Sequence, residues 1–173
     1  MRQIVAYLAA SVDGYIAGPD EGMDWLPEFE GDPTGFHDFF RDVGAIAMGR
    51  RTFEWINDHS TWPYGDVPAY VLSSTLPEGR MEHVTITPGP LTELAATLRD
   101  GDGIAWLVGG GGLFAAFAAA GLIDLWIITV VPVMLGAGTP LMRALGESYL
   151  RLALVEIRTL PGDCVQLQYQ PRR

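Results

Sequence analysis

The sequence predicts an α/β protein built on one mixed sheet of about eight strands, parallel at its centre and antiparallel among its C-terminal strands, with helices on both faces. Three observations carry this reading. Short apolar runs alternate with helix-like segments through the first 120 residues, the order that parallel strands joined by crossover helices require. Those runs are apolar at consecutive positions, as strands covered on two sides are. After Gly121 the strand-like segments follow one another with no helix between them, so the sheet finishes with antiparallel neighbours.

The elements follow in order. IVAYLAAS (residues 4–11) is the first strand, and segment 12–33 after it, carrying Trp25 and several carboxylates, is too long for a plain connection. Residues 34–43 read as a helix, AIAMG (45–49) as a strand and 52–57 as a second helix. A second long loop, 58–68, holds Trp62 and two prolines. AYVLSS (69–74) and HVTIT (83–87) are strands. Residues 91–99 form a helix set off by Gly89-Pro90 and Gly101, IAWLVG (104–109) is a strand, and residues 113–120 form a helix that Gly121 ends. The closing strands are LIDLWIITVVPV (122–133), YLRLALVEIRTL (149–160) and CVQLQYQ (164–170), the last two joined by the hairpin turn Pro161-Gly162-Asp163.

A chain of 173 residues fits a single domain spanning 1–173, and its 49% hydrophobic and 18% charged residues suit a packed core. No apolar run reaches the ~18 residues of a membrane span, and Met1-Arg2-Gln3 leads into a strand without a signal-peptide pattern, so a cytoplasmic protein is expected. Cys164 is the only cysteine, which leaves no internal disulfide and no thiol pair for zinc. The net charge is −10, and all eleven basic residues are arginine. Without lysine there is no Schiff-base nucleophile, no P-loop lysine and no lysine general base. The acidic balance argues against nucleic-acid and anionic-membrane partners. His37, His59 and His83 are too scattered for a metal site, so no metal is expected.

An anionic ligand is therefore left to arginines and backbone amides, and three strand ends offer them. In LVGGGGLFAAF (107–117) four glycines let backbone approach a ligand without Cβ interference, ahead of a helix N-terminus that favours an anion. A loose strand-to-helix connection is the alternative. So is a Rossmann fingerprint, since Gly110, Gly112 and Ala115 satisfy GxGxxA, although the run comes late and no acidic residue ends the next strand. In MGRRTFEW (48–55) Arg50 and Arg51 stand where a helix begins, placed to bind phosphate or to lie solvated on the surface. Ser73 and Ser74 put hydroxyls at a third strand end. Ligands of open α/β sheets bind outside the carboxyl ends of the strands, so the three ends point to one phosphate-rich ligand.

In this order, SVDGYIAG, MDWLP, MGRRTFE, VLSS, LVGGGGLFAAF and VPVMLGAGTPLM resemble the dihydrofolate reductase-like superfamily. The resemblance is closer to its branch containing the C-terminal (reductase) domain of the riboflavin biosynthesis deaminase/reductase. It implies a mixed sheet with flanking helices, and NADPH as hydride donor. It implies that Gly49, Arg50, Arg51 and Thr52 hold the cofactor's phosphates, with an arginine at the 2′-phosphate, and that Leu72, Ser73 and Ser74 form the adenosine-side wall. Gly109, Gly110, Gly111, Gly112, Leu113 and Phe114 would pack against the nicotinamide and pyrophosphate, and Ala9, Ala10 and Ile16 would line the nicotinamide pocket. Thr139 falls near the substrate, and residues 23–27 match a loop that closes over the active site.

Two departures bear on the substrate. The position of the carboxylate that orients the pterin in folate reductases is Phe36, and the nearest carboxylate is Asp38. The first long loop carries Asp13, Asp20, Glu21, Asp24, Glu28, Glu30 and Asp32 but no basic residue to meet a substrate phosphate. The expectation is an NADPH-dependent reductase acting on a small planar heterocyclic or carbonyl substrate, resembling the 5-amino-6-(5-phosphoribosylamino)uracil reductase domain. The alternatives are a non-catalytic NADPH-binding module and a true dihydrofolate reductase. Asp13, just past the first strand, is the candidate for substrate contact or proton relay, with an Asp-Gly turn as its other reading. Trp25 and Phe40 are candidates to stack on a planar substrate, with Phe36 beside them. The apolar C-terminal strands and the helix LFAAFAAAG suggest a homodimer.

Overall fold

The computed structural model describes residues 1–27, 32–143, 145 and 149–172; Glu28 and Glu30 lie outside them. The strands are β1 (Gln3–Ser11), β2 (Tyr15–Ala17), β3 (Val43–Gly49), β4 (Ala69–Leu72), β5 (Gly79–Arg80), β6 (Val84–Thr87), β7 (Ile104–Gly109), β8 (Leu125–Val131), β9 (Thr139–Pro140), β10 (Leu152–Leu160) and β11 (Cys164–Pro171). The helices are α1 (Phe36–Arg41), α2 (Arg50–His59), α3 (Leu91–Arg99) and α4 (Gly111–Ala119). The main sheet runs β10-β11-β8-β1-β7-β3-β4-β6-β5. Strands β8, β1, β7, β3, β4 and β6 are mutually parallel, while β5, β11 and β10 join antiparallel.

This is the α/β class with a parallel centre and antiparallel C-terminal strands. The sheet has nine strands because the two-residue β5 adds an edge. A separate ribbon of β2 and β9 was not expected. It fastens the first long loop to the segment after β8, and a Cβ at Gly138 (φ +136°) would overlap the Ala17 carbonyl. Helix α1 is shorter than the apolar pattern suggests, and α2 begins two residues earlier, so Arg50 and Arg51 occupy its first turn.

The central strands alternate between two cores. Ala45 and Ala47 of β3, with Ala105 and Leu107 of β7, face α3 and α4. Ile46, Met48 and Trp106 face the other side, where Phe53 and Ile56 of α2 and the aromatic rings of α1 cover them. Helix α4 is apolar all round and largely buried, as the absence of polar residues between Gly111 and Ala119 requires. One ion pair fastens the amino end of the sheet: Arg99 donates from both terminal nitrogens to Asp124, at 2.7 and 3.1 Å, and Asp124 also accepts the Ile4 amide at 2.8 Å.

Candidate functional site

Helix α2 leaves β3 toward one face of the sheet, and α4 leaves the adjacent β7 toward the other. Between neighbouring strands whose connections diverge, the carboxyl ends open a crevice. Its floor is glycine: a Cβ on Gly49 would stand 3.8 Å from the Gly109 carbonyl oxygen and 4.0 Å from the Gly110 nitrogen. A Cβ on Gly110 would reach Thr52 Oγ1 at 3.5 Å and Ile16 Cδ1 at 3.9 Å. The structure thus brings Ile16, Gly49, Thr52, Gly109 and Gly110 together from three separate segments.

Both helices begin at this crevice on glycine caps, Gly49 and Gly110. Neither has a side-chain cap or an acidic residue in its first turn. The Leu113 and Phe114 amides turn back to the Gly110 carbonyl, at 2.9 and 3.2 Å. Helix N-termini left without a carboxylate present their partial positive charge and free amides to an anion. The arginines differ from each other: Arg50 Nη1 donates to both Glu54 oxygens at 2.9 Å, whereas Arg51 is exposed and has no ion pair among the described residues. Arg143, which the sequence reading overlooked, lies along α4, with Cδ 3.8 Å from a Cβ built on Gly112.

Other expected residues sit at varying distances from this floor. Leu72 pairs with Gly49 one strand away; Ser73 is buried, its Oγ accepting the Thr75 and Leu76 amides at 3.2 and 3.1 Å, and Ser74 is exposed. Gly111 packs directly on the backbone of Pro140 and Leu141. Thr139 pairs with Ala17 in the ribbon next to Ile16. Ala10, Leu113 and Phe114 are buried; Phe114 has no exposed surface and packs against Trp126, so it supports Gly109 from beneath and offers nothing to a ligand. Ala9 faces away from Ile16, toward the α1 side, where Trp25 and Leu26 pack with it on Val131, Leu160 and Cys164.

The first helix is tied down by an aromatic cluster and a polar one. The Phe36 ring lies 5.6 Å from Tyr7, 5.4 Å from Trp106 and 5.8 Å from Phe40. Tyr7 Oη donates to the Thr34 carbonyl at 3.0 Å, and Gln166, 1% exposed, directs its Nε2 at Tyr7 Oη, the Thr34 carbonyl and Thr129 Oγ1, each at 3.2 Å. Burial pushes the Tyr7 phenol up, so it keeps its proton at neutral pH. Arg158 reaches the same place from β10, with Nη1 3.5 Å from Gln166 Oε1.

The carboxylates near the strand ends are engaged by hydrogen-bond donors. Asp13 accepts Ser11 Oγ at 2.6 Å, the Gly136 amide at 2.7 Å and the Leu135 amide at 3.1 Å, bonds that hold its carboxyl below the usual range. It therefore works as a clasp between the β1 turn and the segment after β8. Asp32 is drawn up by burial but further down by donors from His37, Thr34 and Phe36, and it too is lowered. Asp38 pairs with Arg41 in solvent.

The RibD C-terminal domain family matches residues 2–166. The chain is 38% identical over 172 residues to YwjB of Bacillus subtilis (strain 168), covering 97% of each. The structure of a candidate riboflavin biosynthesis protein from Shewanella sp. PV-4 is similar at TM-score 0.87 and 30% identity, with 99% of each chain covered. Dihydrofolate reductase from Enterococcus faecalis, complexed with NADP(H), shares the fold at TM-score 0.69 and 19% identity, covering 99% of this chain and 97% of that one. No helix among the described residues is long and apolar enough to cross a membrane. The fold is dihydrofolate reductase-like, and the chain belongs to the RibD C-terminal domain family.

Proposed function

We propose that the protein is an NADPH-dependent reductase that transfers a hydride to a small planar heterocyclic or carbonyl substrate. The observation that carries this is the glycine-floored crevice between β3 and β7, where two uncapped helix N-termini converge on Gly49 and Gly110. Such a floor fits a ligand that needs both close backbone approach and anion-binding amides, which a dinucleotide does. The NADP(H) bound by the fold-related Enterococcus reductase supports the same reading. Arg51 would meet the 2′-phosphate, the first-turn amides of α2 and α4 the other phosphates, and Ile16 with the Gly109-Gly110 backbone the nicotinamide. The cofactor supplies the hydride; the chain orients it and shields it from water. With Asp13 and Asp32 both held ionised, the accompanying proton comes from water.

The test has two arms. NADPH should raise the melting temperature more than NADH, and NADPH absorbance should fall on addition of a member of a panel of pyrimidinediones, dihydrofolate, quinones and small dicarbonyls. A shift with NADPH but no turnover on the panel favours the second reading, a non-catalytic cofactor-binding module, which the missing carboxylate at Phe36 motivates. No shift with either cofactor sinks both.

A further inference from the structure

The second long loop, 58–68, supplies no residue of the glycine floor, yet it walls a cavity of about 330 Å³ at the opposite end of the sheet. The other wall is the turn that joins β5 to β6, and between the walls lie the amino ends of β4 and β6. One side chain braces both walls. The Trp62 ring is stacked on His83, centroids 5.4 Å apart and 6° from parallel, while its Nε1 donates to the Gly65 carbonyl at 3.1 Å. The two walls are thus fixed at their spacing, as those of preformed ligand sites are.

The polar groups of this cavity are unspent. Tyr70, Thr85 and Arg80 stand opposite one another on three adjacent strands and so share a face, Tyr70 and Thr85 half-buried. None of the three side chains makes a hydrogen bond among the described residues, although part-buried polar groups ordinarily find partners. Asp66 lines the cavity from the loop and Arg80 from the edge strand, and neither makes an ion pair among the described residues. Glu82 turns instead to His83, at 3.6 Å. Opposite charges that face one space without meeting leave room for a ligand that carries both signs. The rest of the lining, Gly65, Val67, Pro68, Ala69 and Val84, adds no further charge and is largely apolar.

We infer that this cavity binds a free amino acid with an apolar side chain. Its carboxylate meets the Arg80 guanidinium and the Thr85 hydroxyl, its ammonium meets Asp66, and its side chain lies on Val67, Pro68 and Val84. A volume of about 330 Å³ is at the small end of ligand sites and suits a molecule of this size. A zwitterion carries no net charge, so it meets no long-range repulsion from a chain of net charge −10, which a free carboxylate of the same size does. The site is separate from the proposed cofactor crevice, because Leu72 and Ser73 stand at the carboxyl end of β4 and this cavity at its amino end.

Isothermal titration calorimetry of the full chain tests this with valine, leucine, isoleucine, methionine and phenylalanine. At least one should bind with a Kd below ~1 mM, and its analogues lacking the amine or the carboxylate, such as 4-methylpentanoate and isoamylamine for leucine, should bind at least about tenfold more weakly. Arg80→Gln and Asp66→Asn, both at exposed positions, should each raise that Kd by at least about tenfold, with circular dichroism confirming the fold. Arg41→Gln, an exposed arginine on α1, should leave it unchanged. Absence of binding below ~1 mM for all five, an analogue that binds as tightly as its amino acid, or either cavity variant within about twofold of wild type would overturn the proposal.

Discussion

Arg51→Ala is the sharpest probe of the cofactor reading. Arg51 is exposed in the first turn of α2 and is engaged by no carboxylate among the described residues, so its guanidinium can meet a phosphate at little cost. A charge-assisted hydrogen bond of this kind contributes about 1.5–3 kcal/mol, which corresponds to about a 10- to 150-fold loss of NADPH affinity on removal. NADH, lacking the 2′-phosphate, should lose less than about twofold. Arg50 makes the control, because its Nη1 is already shared between both Glu54 oxygens at 2.9 Å. Arg50→Ala should cost only about two- to fivefold, because Glu54 already offsets that guanidinium's charge at the phosphate. Fluorescence titration of both cofactors, at two salt concentrations, reads these values. If Arg51→Ala weakens NADPH and NADH equally, the guanidinium does not discriminate the 2′-phosphate and the assignment fails.

Other perturbations separate folding from binding. Gly49→Ala should leave stability within about 0.5 kcal/mol, since its backbone is extended (φ −82°) and the added methyl meets nothing closer than 3.8 Å, yet weaken the cofactor by filling the crevice floor; urea melts and cofactor titration distinguish the two. Gly111→Ala must push Pro140 and Leu141 away and should destabilise by about 1–3 kcal/mol in the same melts. Gln166→Leu leaves Thr129 Oγ1 without its buried donor, while the Thr34 carbonyl keeps the Tyr7 hydroxyl, and should cost about 1–3 kcal/mol, with loss of near-ultraviolet dichroism from Tyr7 and its neighbours. Asp13 has a lowered carboxyl in the fold, through Ser11 first and Gly136 next, so its stabilisation is complete above the unfolded value near about 4 and is lost as pH falls through the folded one. Melting temperature measured from neutral pH downward should therefore fall less steeply for Asp13→Asn, and parallel curves would remove the clasp.

The crossover core was legible because its signals are local. Strand β7 and helix α3 fall at the boundaries that the apolar run and the glycine and proline punctuation set. The ribbon was not legible: its strands have three and two residues, too few for any period, and their partners lie more than 120 residues apart in sequence. The sequence predicts α2 two residues late because its cap, Gly49, carries no side-chain signal. Its place beside the glycines makes Phe114 look cofactor-facing in the sequence. Yet GGLFAAFAA has no polar face at all, and that signal alone places both phenylalanines inside. Asp13 shows the remaining limit, since its partners Leu135 and Gly136 meet it only through the fold.

The first helix narrows the chemistry more than the crevice does. By the sequence resemblance Phe36 stands at the position of the folate reductases' carboxylate, and here that ring is absorbed into packing with Tyr7, Phe40 and Trp106. The polar groups beside it are a phenol that burial keeps protonated, an amide, a hydroxyl and the Arg158 guanidinium, none of them an acid that gives up a proton near neutral pH. Asp32, the carboxylate nearest the helix start, is consumed by the Phe36 and His37 amides and by Thr34, which hold it ionised. A carboxylic acid able to protonate a ring nitrogen near neutral pH needs a raised pKa, and hydrogen bonds to the charged form produce the reverse. For the proposed reductase, the arrangement favours an acceptor that takes its proton from water after hydride arrives over one that must be protonated by the protein first. For such a reductase this ranks conjugated carbonyl acceptors above dihydrofolate and other C=N acceptors, which take a hydride once protonated.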